Sequence, residues 1–191
     1  MPKVQITKEM ILDTALELLV RDGHDAVNIK TVAKELGCST QPISWTFGNM
    51  ENFRIALAEH ALQYANKKMH SASSNAMEEY GAVGIAYVDM AFNEPNLIRF
   101  LRSDEKRLQG SGGFGHSFDE QSNDRRKKLL AEQYGCNEES AEKFILNMLI
   151  YTQGLVSMII AGGLNIDKKA AHKMLEDVGI DLMKSYTGEQ I

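Results

Sequence analysis

The sequence is poor in cysteine and in proline. Only two cysteines and three prolines occur among its 191 residues. Two isolated thiols provide no disulfide framework and no metal-ligand spacing, so we expect a reducing compartment and no metal site. Because proline is scarce and alternating β-branched runs are few, the composition favours helices throughout the chain. An all-α fold is therefore predicted.

The first ten residues show no secretory signal, and the chain has no excess of positive charge. The first ten residues, MPKVQITKEM, contain no apolar segment of the secretory type, so a cytoplasmic protein is expected. The net charge is −5, which gives no overall attraction to nucleic acid. Residues 1–70 hold eight basic and eight acidic side chains, whereas residues 71–191 hold 13 and 18. The N-terminal part is thus less acidic but not basic, which counts mildly against nucleic-acid binding.

Motifs of catalysis are absent as well. The sequence has no G-x-S-x-G elbow, no H-E-x-x-H pair and no Cys/His cluster. Residues 110–115, GSGGFG, match G-x-G-x-x-G, but no predicted strand precedes them and no Lys-Ser/Thr pair follows. We interpret them as an interhelical loop that can serve as a lid. No enzyme activity and no cofactor are predicted, and an all-α enzyme that uses this loop is one alternative.

Residues 28–47, NIKTVAKELGCSTQPISWTF, have the pattern of two short helices joined by a tight turn. Asn28 is a candidate N-cap of the first helix, Gly37 ends it, and Ser39 is expected to cap the second. A preceding helix is predicted over residues 7–22 from its apolar spacing. Together the three helices have the organisation of a helix-turn-helix unit.

The last of these helices, predicted over residues 40–47, has one apolar and one polar side. Ile43 and Phe47 are four residues apart and are expected to point into the three-helix core. If Ser39 is the cap, Pro42 occupies the third helical position, where its missing N–H is tolerated. The polar and aromatic side should face outward and carries Gln41, Ser44, Trp45 and Thr46.

The remainder of the chain is predicted to consist of six more helices. One of them contains residues 144–164, which are uncharged and long enough to cross a bilayer. Polar residues are spread along this stretch and its flanks lack an aromatic belt, so we prefer a helix buried by its own domain and a second subunit. Asp124 is expected to pair with Lys128. The first of these six helices begins at residue 49. The other five cover residues 76–92, 95–102, 118–134, 140–162 and 167–186.

Several short motifs in this order resemble the TetR/AcrR family of bacterial transcription regulators. Residues 23–29 show G-x-x-A-V-N-I and residues 32–37 show V-A-x-x-L-G. Ser39, Ile43, Phe47 and a helix opening at residues 49–53 follow, so that segment 7–60 resembles the DNA-binding domain of the family. Two weaker similarities lie at residues 91–101, AFNEPNLIRFL, and at residues 151–157, YTQGLVS.

The resemblance implies a helix-turn-helix DNA-binding domain over residues 1–50. Its expected DNA contacts are Asn28, Thr31, Ser39, Thr40, Gln41, Pro42, Ser44, Trp45 and Thr46. Two positions differ from the family pattern: Ser44 stands where Tyr is usual and Met50 where Lys is usual, and both residues normally contact phosphates. Trp45 is either part of the recognition surface or a packing residue that shields Phe47.

The resemblance also implies a helical ligand-binding and dimerisation domain over residues 51–191, with the boundary inside the fourth helix. Its last two helices, about residues 140–186, would pair with a second copy, and an intramolecular buried hairpin is the alternative. The candidate ligand contacts are Tyr87, Phe92, Phe100, Phe114, Met148, Tyr151, Gln153 and Met158.

The function implied is that of a ligand-responsive regulator, in which a small-molecule effector releases a homodimer from a palindromic double-stranded DNA operator. No membrane association is expected. The alternative is a helical small-molecule-binding protein of the same fold with weak or lost DNA binding, which the Ser44 and Met50 departures and the near-neutral N-terminal region suggest.

Overall fold

The computed structural model describes residues 6–69, 76–103 and 120–187, and the glycine-rich segment 110–115 lies outside these ranges. Apart from one short 3₁₀ turn, His24–Ala26, the regular elements in the described ranges are α-helices, which confirms the predicted all-α fold. The helices are α1 (Lys8–Asp22), α2 (Ile29–Glu35), α3 (Gln41–Phe47), α4 (Met50–Met69), α5 (Ala76–Asn93), α6 (Pro95–Ser103), α7 (Glu120–Tyr134), α8 (Glu138–Ile160) and α9 (Lys168–Thr187).

These helices form two compact units. The first contains residues 6–65 and 94–103, and the second contains residues 66–69, 76–93 and 120–187. In the first unit α1 packs against α2, α3 and α6. In the second unit α5, α8 and α9 pack against one another, and α7 packs against α5 and α8. Each unit therefore has its own hydrophobic core.

The core of the first unit consists of apolar side chains at helical spacing. The Thr7 side chain accepts a hydrogen bond from the Met10 N–H, so that α1 begins at the predicted place. On α6, Asn96 donates to the Val20 carbonyl at 3.2 Å. The fully buried side chains of this core include Ile11, Leu19, Val32, Ile43, Phe53, Leu57, Leu97 and Phe100.

The start of α2 is fixed by a capping box between Asn28 and Thr31. The Asn28 side chain accepts hydrogen bonds from the N–H groups of Lys30 and Thr31 at 3.0 and 3.1 Å. In return, the Thr31 hydroxyl accepts from the Asn28 N–H at 3.1 Å and donates to the Ala26 carbonyl at 2.6 Å. The predicted cap is confirmed, and it also anchors the preceding 3₁₀ turn to α2.

Replacing Thr31 with valine should lower the free energy of unfolding of the first unit by about 1–2 kcal/mol, because the Asn28 N–H and the Ala26 carbonyl both lose a partner. Urea denaturation together with hydrogen exchange of the α2 amides would measure this loss. Thr40→Val is the matched control, since no side-chain hydrogen bond caps α3 at Thr40. We expect the control to change stability by less than about 0.5 kcal/mol. Equal losses in both variants would contradict this role of the capping box.

The start of α3 differs from the prediction. Thr40 is the N-cap residue, and no side-chain hydrogen bond caps this helix, so the expected bond from the Gln41 N–H to Ser39 is absent. Pro42 consequently occupies the second helical position instead of the third. The backbone explains the shift: Thr40 already has helical dihedral angles, with φ −69° and ψ −12°. The absent N–H of Pro42 leaves no donor unsatisfied at this position.

The end of α3 is joined firmly to α4. The Phe47 and Phe53 rings meet edge to face, with centroids 5.1 Å apart. The Asn49 side chain accepts from the Asn52 N–H at 2.8 Å, and the Asn52 amide donates to the Phe47 carbonyl at 3.0 Å. Gly48, with φ +75°, provides the sharp turn between the helices. These contacts therefore fix the orientation of α3 relative to α4.

Two glycines of the second unit face a side chain of a neighbouring helix. A Cβ atom on Gly84 would lie 3.7 Å from Leu175 Cδ1, and one on Gly179 would lie 3.7 Å from Met148 Cε. The buried line of α9 follows a four-residue spacing. Ala171, Leu175, Gly179 and Met183 are buried, whereas Met174, Val178 and Leu182 are only half-buried.

Two local predictions in the second unit are also corrected. Asn137 caps α8 by accepting from the Ser140 N–H at 2.8 Å, so the helix begins at Glu138, two residues before the predicted start. Asp124 pairs with Lys127 at 3.2 Å instead of with the expected Lys128.

In the described ranges α8 is also the one helix whose length and apolar composition would permit a membrane span.

Candidate nucleic-acid interface

The outward surface of α3 is set by its two buried anchors. Ile43 is fully buried and Phe47 is 6% exposed, which fixes the rotation of the helix in the first unit. The opposite line contains Gln41 and Trp45, which are four residues apart and therefore lie above one another on the same face. Trp45 is 77% exposed, more than any other large apolar side chain in the described ranges. Its indole is therefore largely exposed to solvent.

The other predicted contact residues of this helix and its turn differ in what their polar groups do. Ser39, Thr40 and Ser44 are exposed. The Thr46 hydroxyl donates to the Pro42 carbonyl at 2.8 Å, which leaves its methyl group as the more available part. The outward surface is thus built from small hydroxyls, one amide and one large aromatic ring.

Asn28 and Thr31 both have structural roles at the start of α2, of which only the cap at Asn28 was predicted from the sequence. Their side-chain oxygens form the capping box described above, and both residues are half-buried. A side chain whose acceptor already holds two backbone N–H groups has reduced capacity for another partner. The exposed candidates nearby on α2 are the lysines at positions 30 and 34.

Arg21 connects α1 to α2 at the edge of this surface. Its guanidinium group contacts Glu35 at 2.7 Å and Asp22 at 2.8 Å. The hydrogen bond from Arg21 holds the pKa of the Asp22 carboxyl below its usual range. Both carboxylates therefore neutralise a cation that would otherwise be available to an anionic partner, and the two lysines of α2 remain the exposed positive groups of that helix.

A second group of predicted site residues meets between α5 and α8. The Tyr87 hydroxyl donates to the Gln153 side-chain oxygen at 3.0 Å, although Tyr87 is almost completely buried. The neighbouring Thr152 is also buried, and its hydroxyl donates to the Met148 carbonyl at 2.7 Å. This part of the second unit therefore contains three hydrogen-bonding side chains.

The remaining candidate ligand residues are distributed more widely. Phe92 and Tyr151 are half-buried in the second unit, whereas Met158 is exposed on α8. Phe100 belongs to the first unit, where it stacks on His24 with ring centroids 5.6 Å apart. Phe114 lies outside the described residues.

An exposed apolar line on α8 was not identified from the sequence. Leu146, Ile150 and Met158 are 54%, 61% and 48% exposed, and exposed Gly154 continues their four-residue spacing. On α9, Ile180 is 51% exposed. We call these five residues the α8–α9 apolar surface. Helical periodicity alone could not separate it from a core-facing line, since both repeat every three or four residues.

Hydrogen bonds also join the ends of α5 and α9. Asp89 contacts His172 at 2.8 Å and Lys168 at 3.7 Å, while Lys168 donates to the Asn93 side chain at 2.9 Å. Within the described ranges no group of three or more His, Cys, Asp or Glu side chains is arranged to hold a metal ion. This polar cluster therefore serves to attach the two helix ends.

Comparison with known proteins agrees with the geometry of both units. Residues 11–57 match the sequence model for the N-terminal region of bacterial regulatory proteins of the tetR family. A protein of unknown function from Rhodococcus sp. RHA1 has a TM-score of 0.72 at 18% identity, over 97% of this chain and 98% of that one. No curated protein matches the sequence.

Two further solved structures have the same fold. A TetR-like transcriptional regulator from Rhodococcus sp. RHA1 has a TM-score of 0.63 at 13% identity, covering 95% of this chain and 96% of that one. A TetR variant from Acinetobacter baumannii AYE, in complex with minocycline, has a TM-score of 0.58 at 15% identity, covering 95% and 96%. The similarity thus extends over nearly the whole chain, well beyond the N-terminal match.

Proposed function

We propose, from the chain's membership of the TetR family of bacterial regulatory proteins, that it is a cytoplasmic repressor that a small molecule releases from a palindromic DNA operator. The observation that carries this proposal is the fixed orientation of α3. Ile43 and Phe47 hold it in the core while Gln41 and Trp45 face outward. A short helix anchored in this way can enter a major groove without rearrangement of its own unit.

A homodimer would place two such helices on one duplex. The α8–α9 apolar surface supports pairing through about residues 140–186. Its residues lie on two packed helices, and in a four-helix bundle the surfaces of the two copies would bury each other. A two-fold axis through that bundle would present two copies of α3 to successive major grooves, about 34–36 Å apart. We accordingly assign DNA binding to residues 1–50 and pairing and effector binding to residues 51–191.

The effector would bind in the second unit. The Tyr87–Gln153 hydrogen bond places two polar side chains between α5 and α8. The related Acinetobacter structure holds minocycline, and binding of a small molecule is the corresponding role proposed for this chain. Because a ligand shifts an equilibrium only through unequal affinity, the effector must bind the DNA-released conformer more tightly.

The test is a gel shift with full-length protein and the DNA upstream of its own gene. We expect a discrete complex at low salt that dissociates when the molecule found in the purified protein by native mass spectrometry is added. Failure to bind any genomic fragment at low salt would contradict the proposal. A complex that persists at every concentration of the identified molecule would contradict the effector part alone.

The affinity should depend only moderately on salt. If two exposed lysines on α2, Lys30 and Lys34, contact phosphates in each half of a dimer, the slope of log K against log salt is about −4. Met50→Lys would add one contact per half and should make the slope steeper by about 2. Met50→Gln is the matched control and should leave the slope unchanged. An unchanged slope in the lysine variant would exclude a phosphate at that position.

A further inference from the structure

The recognition surface lacks the side chains that most often select guanine or cytosine. Residues 36–50, LGCSTQPISWTFGNM, contain no charged side chain, and α3 lies wholly within them. Bidentate contact to guanine is made mostly by arginine or lysine, and contact to the cytosine amino group by aspartate or glutamate. Neither class of contact is available from α3 or from the turns on both sides of it.

The groups that α3 does present match adenine and thymine. The amide of Gln41 can donate to N7 and accept from N6 of one adenine, a pairing that glutamine makes in the major groove. Trp45 offers a large apolar surface, and the thymine C5 methyl is the apolar group that a base pair presents there. Ser39, Thr40 and Ser44 have hydroxyls that pair with several bases and therefore discriminate little.

The spacing of these two side chains fits a short stretch of duplex. Four residues along an α-helix correspond to a rise of about 6 Å. Successive base pairs are separated by about 3.4 Å, so the two contacts fall about two base pairs apart when α3 lies along the groove. Both side chains lean towards the N-terminal end of the helix, which leaves this spacing unchanged.

We propose that α3 reads an A·T-rich half-site, in which Gln41 pairs with an adenine and Trp45 covers a thymine methyl group about two base pairs away. This inference rests on the proposed DNA-binding function and specifies the sequence class that it recognises. The lysines of α2 contact the backbone and supply affinity without selecting a base.

The first step of the test is selection of bound duplexes from a randomised pool with the full-length protein. We expect the recovered half-sites to have two A·T pairs about two base pairs apart at their centre. Selection of G·C pairs there would overturn the inference while leaving DNA binding intact. Absence of any retained duplex at low salt would instead contradict the proposed function itself, so the two failures are distinguishable.

The second step removes single atoms from the selected DNA. Replacing the central thymines by uracil deletes only the C5 methyl and should weaken wild-type binding about fourfold for each half-site. Trp45→Ala should bind more weakly and no longer distinguish thymine from uracil, whereas Trp45→Phe should retain part of the difference. Because the side chain is exposed, thermal melting of both variants should match the wild type. Equal sensitivity to uracil in wild type and Trp45→Ala would overturn the role of the indole.

The same design applies to Gln41. Replacing the selected adenine by 7-deazaadenine removes the N7 acceptor, which should weaken wild-type binding several-fold and leave Gln41→Ala unaffected. Emission from Trp45, the only tryptophan in the chain, provides a readout independent of affinity. Its spectrum should shift on binding the thymine duplex more than on binding the uracil duplex, and equal shifts would contradict the methyl contact.

Discussion

Replacing Ile150 with glutamate should convert the protein into a folded monomer and lower its affinity for a palindromic operator by at least about a hundredfold. Ile150 is 61% exposed and lies at the centre of the α8–α9 apolar surface. A carboxylate at this position would be desolvated when two copies pair, which is costly without a counter-charge. Each copy would still bind one half-site, but the gain from simultaneous binding would be lost.

Analytical ultracentrifugation and titration against the full palindrome would measure the two effects together. Ile55→Glu is the matched control, since it makes the same chemical change at an isoleucine of α4 that is 36% exposed. It should leave the mass of the assembly unchanged. A dimeric Ile150→Glu variant would contradict pairing through the α8–α9 apolar surface. A wild-type protein that is monomeric at micromolar concentration would contradict the bundle proposal as a whole.

Phe53→Ala should destabilise the first unit by about 3–5 kcal/mol and abolish DNA binding at the growth temperature of the host. Phe53 is fully buried, and its ring meets that of Phe47 at the end of α3. The substitution leaves a cavity at the contact that fixes the orientation of α3. Since domains are stable by only about 5–15 kcal/mol in total, the loss is a large part of the available stability.

Native-state hydrogen exchange locates this effect within the chain. The α3 and α4 amides should exchange faster in Phe53→Ala, while the α8 and α9 amides of the second unit keep the rates of the wild type. Ile55→Ala, two residues further along α4, should change exchange much less because the side chain is partly exposed. Uniform acceleration throughout both units would indicate that they unfold together and would contradict an independent core in the first.

The parts of the fold that depend on local chemistry were predictable from the sequence. Asn28 and Asn49 begin helices because their side chains accept N–H groups two or three residues ahead. Gly37, with φ +62°, ends α2 in a conformation that other residues rarely adopt. The exception was the cap of α3, which was predicted at Ser39 and lies at the adjacent Thr40.

Features that depend on contacts between distant residues could not be predicted. The buried line of α9 includes Gly179, which lies against Met148 on α8, and a pattern of apolar side chains does not include a glycine. The exposed line through Ile150 has the same spacing as a buried one. The candidate interface is different in this respect. The outward direction of Trp45 was predictable, because Ile43 and Phe47 anchor the opposite side of α3.

The hydrogen bonds that Asn28 and Thr31 form could be established only from the structure. Both residues were predicted DNA contacts, and their side-chain oxygens form the capping box of α2. The sequence shows that such a box is possible, because Asn28 lies three residues before Thr31. It does not show whether the same oxygens remain available to a second partner, since that depends on the hydrogen bonds formed in the folded chain.

The most direct measurement of the central claim is the mass of the complex between the wild-type protein and its selected palindromic duplex, by native mass spectrometry or sedimentation at low salt. The account predicts two chains on one duplex, and one chain or none when a half-site is scrambled or Ile150 carries glutamate. No complex at low salt, or a single chain bound equally to palindrome and half-site, would contradict it.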